Sequence, residues 1–280
     1  MSTYRVLVQE AEALLKDTNS FHEVRLLMME LCREMGKDLY LCQDEEASTE
    51  IETKFLSGIK RLQADEPLSY ILGYSWFYGY KLLVNEDVLI PRNETEELIG
   101  YVLAGMDEHF GHSELTLFDV ATGSGAIAIA LKAEEPKLKV FASDISEKAI
   151  SQAKVNAGIN HTDIHFLVGD MLEPFIEQNL SCDILICNPP YIPLNEDIEN
   201  SVKEYEPHLA LFGGEDGLKF YHQVLNKAHL LLNDKAMIAF EIGYNQAEVL
   251  KREANEYFPE SKIEVIEDLN GLDRMLFIYL

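Results

Sequence analysis

Apolar residues recur at helical spacing through residues 3–63. Leu7, Ala11, Leu14 and Leu15 form one stripe, Val24, Leu27, Met28, Leu31 and Met35 a second, and Ile51, Phe55, Ile59 and Leu62 a third. Thr49 and Glu52 have capping-box spacing at the head of the third. From 68 to 92 the composition turns β-rich, with Tyr70, Ile71, Trp76, Phe77, Tyr78, Tyr80, Leu82 and Val84 punctuated by Gly73 and Gly79, which predicts a hairpin. An acidic helix is expected over 94–110. Beyond it, strand-like runs at 115–120, 138–143, 164–168, 183–187, 236–241, 262–267 and 275–280 alternate with helical segments. This alternation predicts an α/β fold, a mostly parallel seven-stranded sheet with helices on both faces. The expected organisation is a helical domain over 1–66, a β-hairpin linker over 67–92 and an α/β domain over 93–280.

Charge narrows the partners. The 280 residues carry 49 acidic against 23 basic side chains, a formal net charge of -26, and no basic stripe. Such a surface repels phosphate backbones, so stable nucleic-acid binding is not expected and a basic protein partner is. Cys32, Cys42, Cys182 and Cys187 have neither CxxC spacing nor histidines at ligand spacing, so they read as reduced, mostly buried thiols with no metal site. Met28, Met29 and Met35 read as core packing. No apolar run approaches the roughly 20 residues of a membrane span, and the first residues lack a signal-peptide core. A cytoplasmic protein without membrane association is expected.

In an open parallel sheet, ligands gather at the carboxyl ends of strands. The first such end carries Asp119-Val120-Ala121-Thr122-Gly123-Ser124-Gly125, running into a helical segment. Glycines let the backbone turn and approach a ligand, and the helix start presents free N–H groups. Asp144 ends the second strand, where a carboxylate can accept both hydroxyl hydrogens of a ribose. Asp170 ends the third, where it can approach an adenine amino group while Met171 packs on the ring. The loop lacks the full GxGxxG pattern and has no basic residue for a pyrophosphate. A nucleoside without phosphates fits better than NAD, which points to S-adenosylmethionine held by Asp119, Ala121, Thr122, Gly123, Ser124, Gly125, Asp144, Asp170 and Met171, with Asn188 beside it.

Asn188-Pro189-Pro190-Tyr191 follows the fourth strand. An amide nitrogen is a poor nucleophile because its lone pair is delocalised, so a catalyst must hold both N–H groups and aim the nitrogen. The Asn188 side-chain oxygen can accept one hydrogen and the Pro189 carbonyl the other. The two prolines fix the backbone, and Tyr191 can lie against the planar amide. The same motif suits the conjugated amino group of adenine in a nucleic acid, and a non-catalytic cofactor-binding scaffold is a third reading.

The motifs together resemble the HemK/PrmC family of release-factor glutamine methyltransferases. The matching segments are 67–73, Phe77-Tyr78-Gly79, 88–96, the glycine loop, Asn188-Pro189-Pro190-Tyr191, Glu206-Pro207, 213–218, Glu241-Ile242-Gly243 and 268–274. Ala121 replaces the usual first glycine of the loop, and Asn93 the second proline of the family's P-R-P-E-T-E. Glu94-Thr95-Glu96 favours the release-factor branch over the related ribosomal-protein glutamine methyltransferases. The resemblance implies a class I S-adenosylmethionine-dependent methyltransferase domain, Rossmann-like, with a small N-terminal helical domain that helps grip the substrate. It also implies transfer to the glutamine of the Gly-Gly-Gln loop of class I peptide-chain release factors. Phe77 and Arg92 join Asn188, Pro189, Pro190 and Tyr191 as expected substrate contacts, with pairing to Glu94 or Glu96 the alternative for Arg92.

Overall fold

The computed structural model describes residues 2–111 and 114–280. The chain forms two compact units. One comprises the residues as far as Tyr74 together with Ile198–Tyr205, and the other comprises Ser75–Asp197 and Glu206–Leu280.

The first unit is helical: α1 Tyr4–Leu14, α2 Glu23–Glu34, α3 Leu39–Cys42, α4 Thr49–Leu62 and α5 Leu68–Leu72, joined by α10 Asn200–Tyr205. Tyr4, Leu7, Val8, Ala11 and Leu15 fall on one side of α1 and bury against Val24, Leu27, Met28, Phe55 and Ile59. Two expected core positions are exposed instead. Leu14 closes α1 off the stripe, where Val8 takes the inward place, and Met35 follows the last turn of α2. The cap of α4 also lies one residue earlier than expected, since the Ser48 hydroxyl accepts from Ile51 N at 3.3 Å. Leu68, Ile71 and Leu72 pack on this core. The unit therefore continues past the expected boundary at Pro67, and part of the expected linker is helix.

A hairpin of β1 Tyr74–Phe77 and β2 Tyr80–Leu83, all but Tyr74 counted with the second unit, comes next, then α6 Asn93–His109. Strands and helices then alternate: β3 Thr116–Val120, α7 Ala126–Glu134, β4 Lys139–Asp144, α8 Glu147–Ile159, β5 Ile164–Val168, α9 Glu173–Glu177 and β6 Cys182–Cys187. After α10 come α11 Lys219–Ala228, β7 Leu232–Glu241, α12 Ala247–Tyr257, β8 Lys262–Glu267 and β9 Asp273–Tyr279. The seven-stranded sheet has the order β5-β4-β3-β6-β7-β9-β8, parallel except for β9, which runs antiparallel to β7 and β8. This is the expected class I methyltransferase architecture.

Alternation along the strands supplies both cores. Leu117, Ile184, Ile186, Met237 and Ala239 face α6 and α7, whereas Phe118, Leu185, Cys187, Ile238 and Phe240 face α11 and α12. Strand order reverses between β3 and β6, so a crevice opens at their carboxyl ends. All four cysteines are free and buried. Among the described residues, no helix is long and apolar enough to cross a membrane.

Candidate active site

A cavity of about 320 Å3 opens at that reversal, lined wholly from the α/β unit. One side is the glycine loop, with Ala121, Thr122, Gly123 and Ser124; the ends of β4 and β5 add Asp144, Asp170 and Met171; Asn188 and Pro190 complete it from the end of β6. Thr95 and Arg92 line it from the start of α6. Carboxylates outnumber cations on the lining, with Glu86, Asp87, Asp144 and Asp170 against Arg92 and Lys219.

The loop is shaped from beneath. Asp119 is fully buried and does not reach the cavity: its Oδ2 accepts from Thr122 Oγ1 at 2.5 Å and from Ala128 N at 3.2 Å. Burial raises its carboxyl to about 7, against the hydrogen bonds from Thr122 and Ala128, while the nearby Asp144 charge adds to the rise. The expected direct cofactor contact from Asp119 is thus a brace under the loop. Gly125 likewise starts α7 behind the cavity. A second brace was not signalled by any motif. Asn156 of α8 is buried, its Oδ1 accepting from Leu83 N at 2.8 Å and its Nδ2 donating to the carbonyls of Leu83 and Ser124 at 3.0 and 2.9 Å. One side chain therefore ties the hairpin to the glycine loop.

Asp144 lies across the loop. Its Oδ2 accepts from Gly123 N and its Oδ1 from Ser146 N, both at 2.9 Å. Each carboxylate oxygen has a further lone pair to offer. Burial pushes this carboxyl up, and the backbone donors, Ser146 first and then Gly123, pull it back.

The turn after β6 is gripped on its backbone. Gln246 Nε2 donates to the Tyr191 carbonyl at 3.0 Å, and Gly213 N donates to the Ile192 carbonyl at 2.9 Å. A Cβ at Gly213 would lie 2.4 Å from the Pro190 carbonyl oxygen, and one at Gly217 would lie 2.1 Å from that of Tyr191. Only glycine permits this approach, which accounts for Gly213 and Gly217 in the 213–218 segment.

Asn188 donates through Nδ2 to Thr95 Oγ1 at 3.2 Å, and Thr95 donates in turn to Glu241 Oε2 at 2.6 Å. Glu241 is buried at the end of β7, and burial raises its carboxyl to about 7, with the Thr95 hydrogen bond and the Arg274 charge opposing. Tyr191 is not on the cavity lining: its ring packs with the core under α11 and its hydroxyl lies 3.5 Å from Glu241 Oε1. Pro189 is buried and is absent from the lining as well. Phe77 is misplaced as a substrate contact, being 1% exposed in the core beneath α6. Arg92 pairs with neither Glu94 nor Glu96. Its partner is Glu206, a buried carboxylate that also accepts from Ile90 N at 3.2 Å, while Glu96 accepts from Tyr78 N at 2.7 Å.

The PrmC N-terminal domain model matches residues 7–73, and the methyltransferase small domain model residues 102–204. A release factor glutamine methyltransferase of Bacillus anthracis is 39% identical over 280 residues, 99% of each chain. One from Staphylococcus aureus is 35% identical over the same span, again 99% of each. Among solved structures, a methyltransferase from Pyrococcus furiosus shares the fold with a TM-score of 0.51 at 14% identity, over 83% of this chain and 98% of that one. A methyltransferase complexed with SAH does so at 0.52 and 14%, over 74% of this chain and 56% of that one. Resemblance at this identity from end to end goes beyond a shared fold, and the chain belongs to the family of release factor glutamine methyltransferases.

Proposed function

We infer that this protein methylates the side-chain amide nitrogen of a glutamine in a peptide-chain release factor, using S-adenosylmethionine. The observation that carries the reading is the placement of Asn188 and Pro190 on the same cavity as the glycine loop and Asp144. The lining suits this cofactor: the loop has no basic residue for a phosphate, and four carboxylates against two cations favour a ligand bearing positive charge. Asp144 accepts from the ribose hydroxyls, Asp170 from an adenine amino group, and Met171 packs on the ring. Bound there, S-adenosylmethionine supplies a methyl group on a positively charged sulfur, ready for in-line displacement.

The residues of the chain do the positioning. Asn188 accepts one amide hydrogen through Oδ1, and the Pro189 carbonyl, off the lining itself but between the lining residues Asn188 and Pro190, is the candidate acceptor for the other. With both hydrogens held, the nitrogen is aimed rather than activated by a strong base, and positioning of this kind is worth several orders of magnitude in rate. Arg92, fixed by Glu206, stands at the cavity as a substrate contact. A cavity of this size selects a side chain, not a protein. Choice of partner therefore falls to the helical unit, and the glutamine of a Gly-Gly-Gln loop in class I release factors is the target that the family implies. The test is intact-mass analysis of a release factor after incubation with protein and cofactor, followed by peptide mapping. One added methyl on the glutamine is expected; no addition, or addition at another residue, would sink the reading.

A further inference from the structure

Three side chains from distant parts of the sequence form one hydrogen-bonded group: Glu241 at the end of β7, Thr95 in the first turn of α6, and Asn188 after β6, which donates to Thr95 and also lies within hydrogen-bonding reach of Glu241. Glu241 and Thr95 are 2% and 4% exposed, so bulk water has little access to either. The direction of the chain follows from counting hydrogens. Above about pH 7, where Glu241 is ionised, its carboxylate only accepts, and a hydroxyl has a single hydrogen. Thr95 spends that hydrogen on Glu241 at 2.6 Å and turns a lone pair to Asn188. Asn188 must then meet Thr95 with its NH2 end. The two ends of an asparagine amide have nearly the same size, so packing alone does not choose between them.

We propose that Glu241 and Thr95 form a polarity relay that fixes which end of the Asn188 amide faces the cavity, so that the site selects a substrate group that donates hydrogens over one that only accepts. The proposal rests on the glutamine reading above and deepens it. With Oδ1 turned to the cavity, a carboxamide NH2 finds an acceptor, whereas a carboxylate of the same shape meets an oxygen it repels. Glutamine is thereby separated from glutamate, which differs from it by one atom. Glu241 and Thr95 act through Asn188 and are positioning residues. No single motif contains the relay, because it joins Glu94-Thr95-Glu96, Asn188-Pro189-Pro190-Tyr191 and Glu241-Ile242-Gly243.

The test compares the unmutated protein with Thr95→Val, which keeps shape and loses the hydroxyl, Thr95→Ser, which keeps the hydroxyl, and Glu241→Gln, which avoids a stranded buried charge. Each is assayed for single-turnover methylation of a release factor and for inhibition by the same factor carrying Gln→Glu at the target position. In Thr95→Val and Glu241→Gln the rate should fall ~10²-fold, the loss typical of one preorganised polar group, with S-adenosylmethionine affinity unchanged. Freed to turn, Asn188 should also present its NH2 to the carboxylate, and the glutamate form should inhibit at least ~10-fold better relative to binding of the glutamine form. Thr95→Ser should restore rate and discrimination. A lower rate with unchanged glutamine-over-glutamate discrimination in both variants would show a merely structural role and overturn the relay, as would an unchanged rate. Absence of methyl transfer by the unmutated protein would overturn the functional reading and the relay with it.

Discussion

Arg92 and Glu206, 114 residues apart in the sequence, are held as an ion pair in which only the arginine reaches solvent, with side chains 35% and 1% exposed. The pair joins the segment before α6 to the chain returning from α10. Its two halves are unequal, because a stranded arginine can turn to water while a stranded Glu206 cannot. Arg92→Met should therefore cost about 3 kcal/mol or more of stability, the cost of an uncompensated buried charge. The double variant Arg92→Met with Glu206→Gln should regain part of that loss. Denaturant unfolding of the single and double variants measures the coupling, and a double variant no more stable than Arg92→Met would refute this account.

Asp144→Ala should weaken S-adenosylmethionine binding by about 1.5–3 kcal/mol, the worth of charge-assisted hydrogen bonds to the ligand. The same substitution removes the acceptor for Gly123 N and Ser146 N, so the glycine loop loses a brace as well. Asp144→Asn keeps an acceptor and should lose less. Calorimetry on the folded variants decides it: equal affinity in Asp144→Ala and the parent would rule out the ribose role.

Ala121 occupies the left-handed region at φ 60°, where a Cβ crowds the following carbonyl at a cost of about 1–2 kcal/mol. Glycine removes the strain but adds freedom to the unfolded chain. Ala121→Gly should be net stabilising by about 0.5–1 kcal/mol. A lower unfolding midpoint for Ala121→Gly would show that the loop is not strained there.

Glu241 and Asp119 both titrate at about 7 in the folded protein, above ordinary values of 4.5 and 3.8, because burial disfavours their charge. Through the interval from roughly 4 to 7 the folded state keeps protons that the unfolded state has released, so their contribution to stability falls as pH rises. Glu241→Gln removes one share of this slope. The stability difference between parent and variant should change by on the order of 3 kcal/mol between about pH 5 and pH 8, in the direction that favours the variant at high pH. Parallel stability profiles would contradict it. Methyl transfer, which needs Glu241 as an acceptor, should rise over the same interval.

Much of this was legible because period and position agree. Residues 164–168 and 262–267 were expected as strands and are β5 and β8, since short runs rich in β-branched residues, with Phe166 in the first and Ile263 and Val265 alternating with Glu264 in the second, favour strands. Residues 68–72 misled because Tyr70 and Ile71 favour strands, yet Pro67 opens a helical turn and Gly73, in the left-handed region, closes it after five residues. The ends of the strands announced where the cavity would be, but not which side chains would enter it. Asp119 and Asp144 look alike in sequence, and only their depth separates a brace from a lining residue. Phe77 reads as a substrate contact because aromatic residues beside a motif suit both roles, and packing gave it the other one. Pairings such as Arg92 with Glu206, or Thr95 with Glu241, join residues whose separation carries no periodic signal.

The helical unit includes Ile198–Tyr205, where the Tyr205 hydroxyl donates to the Ala64 carbonyl at 2.7 Å. During synthesis its first helices leave the ribosome long before that segment is made. At ordinary elongation rates the roughly 120 intervening residues take on the order of 6–25 s. The helical unit is thus completed only after β3–β6 of the other unit have been made, and a nascent chain stalled before residue 198 would hold a helical unit with its final helix missing.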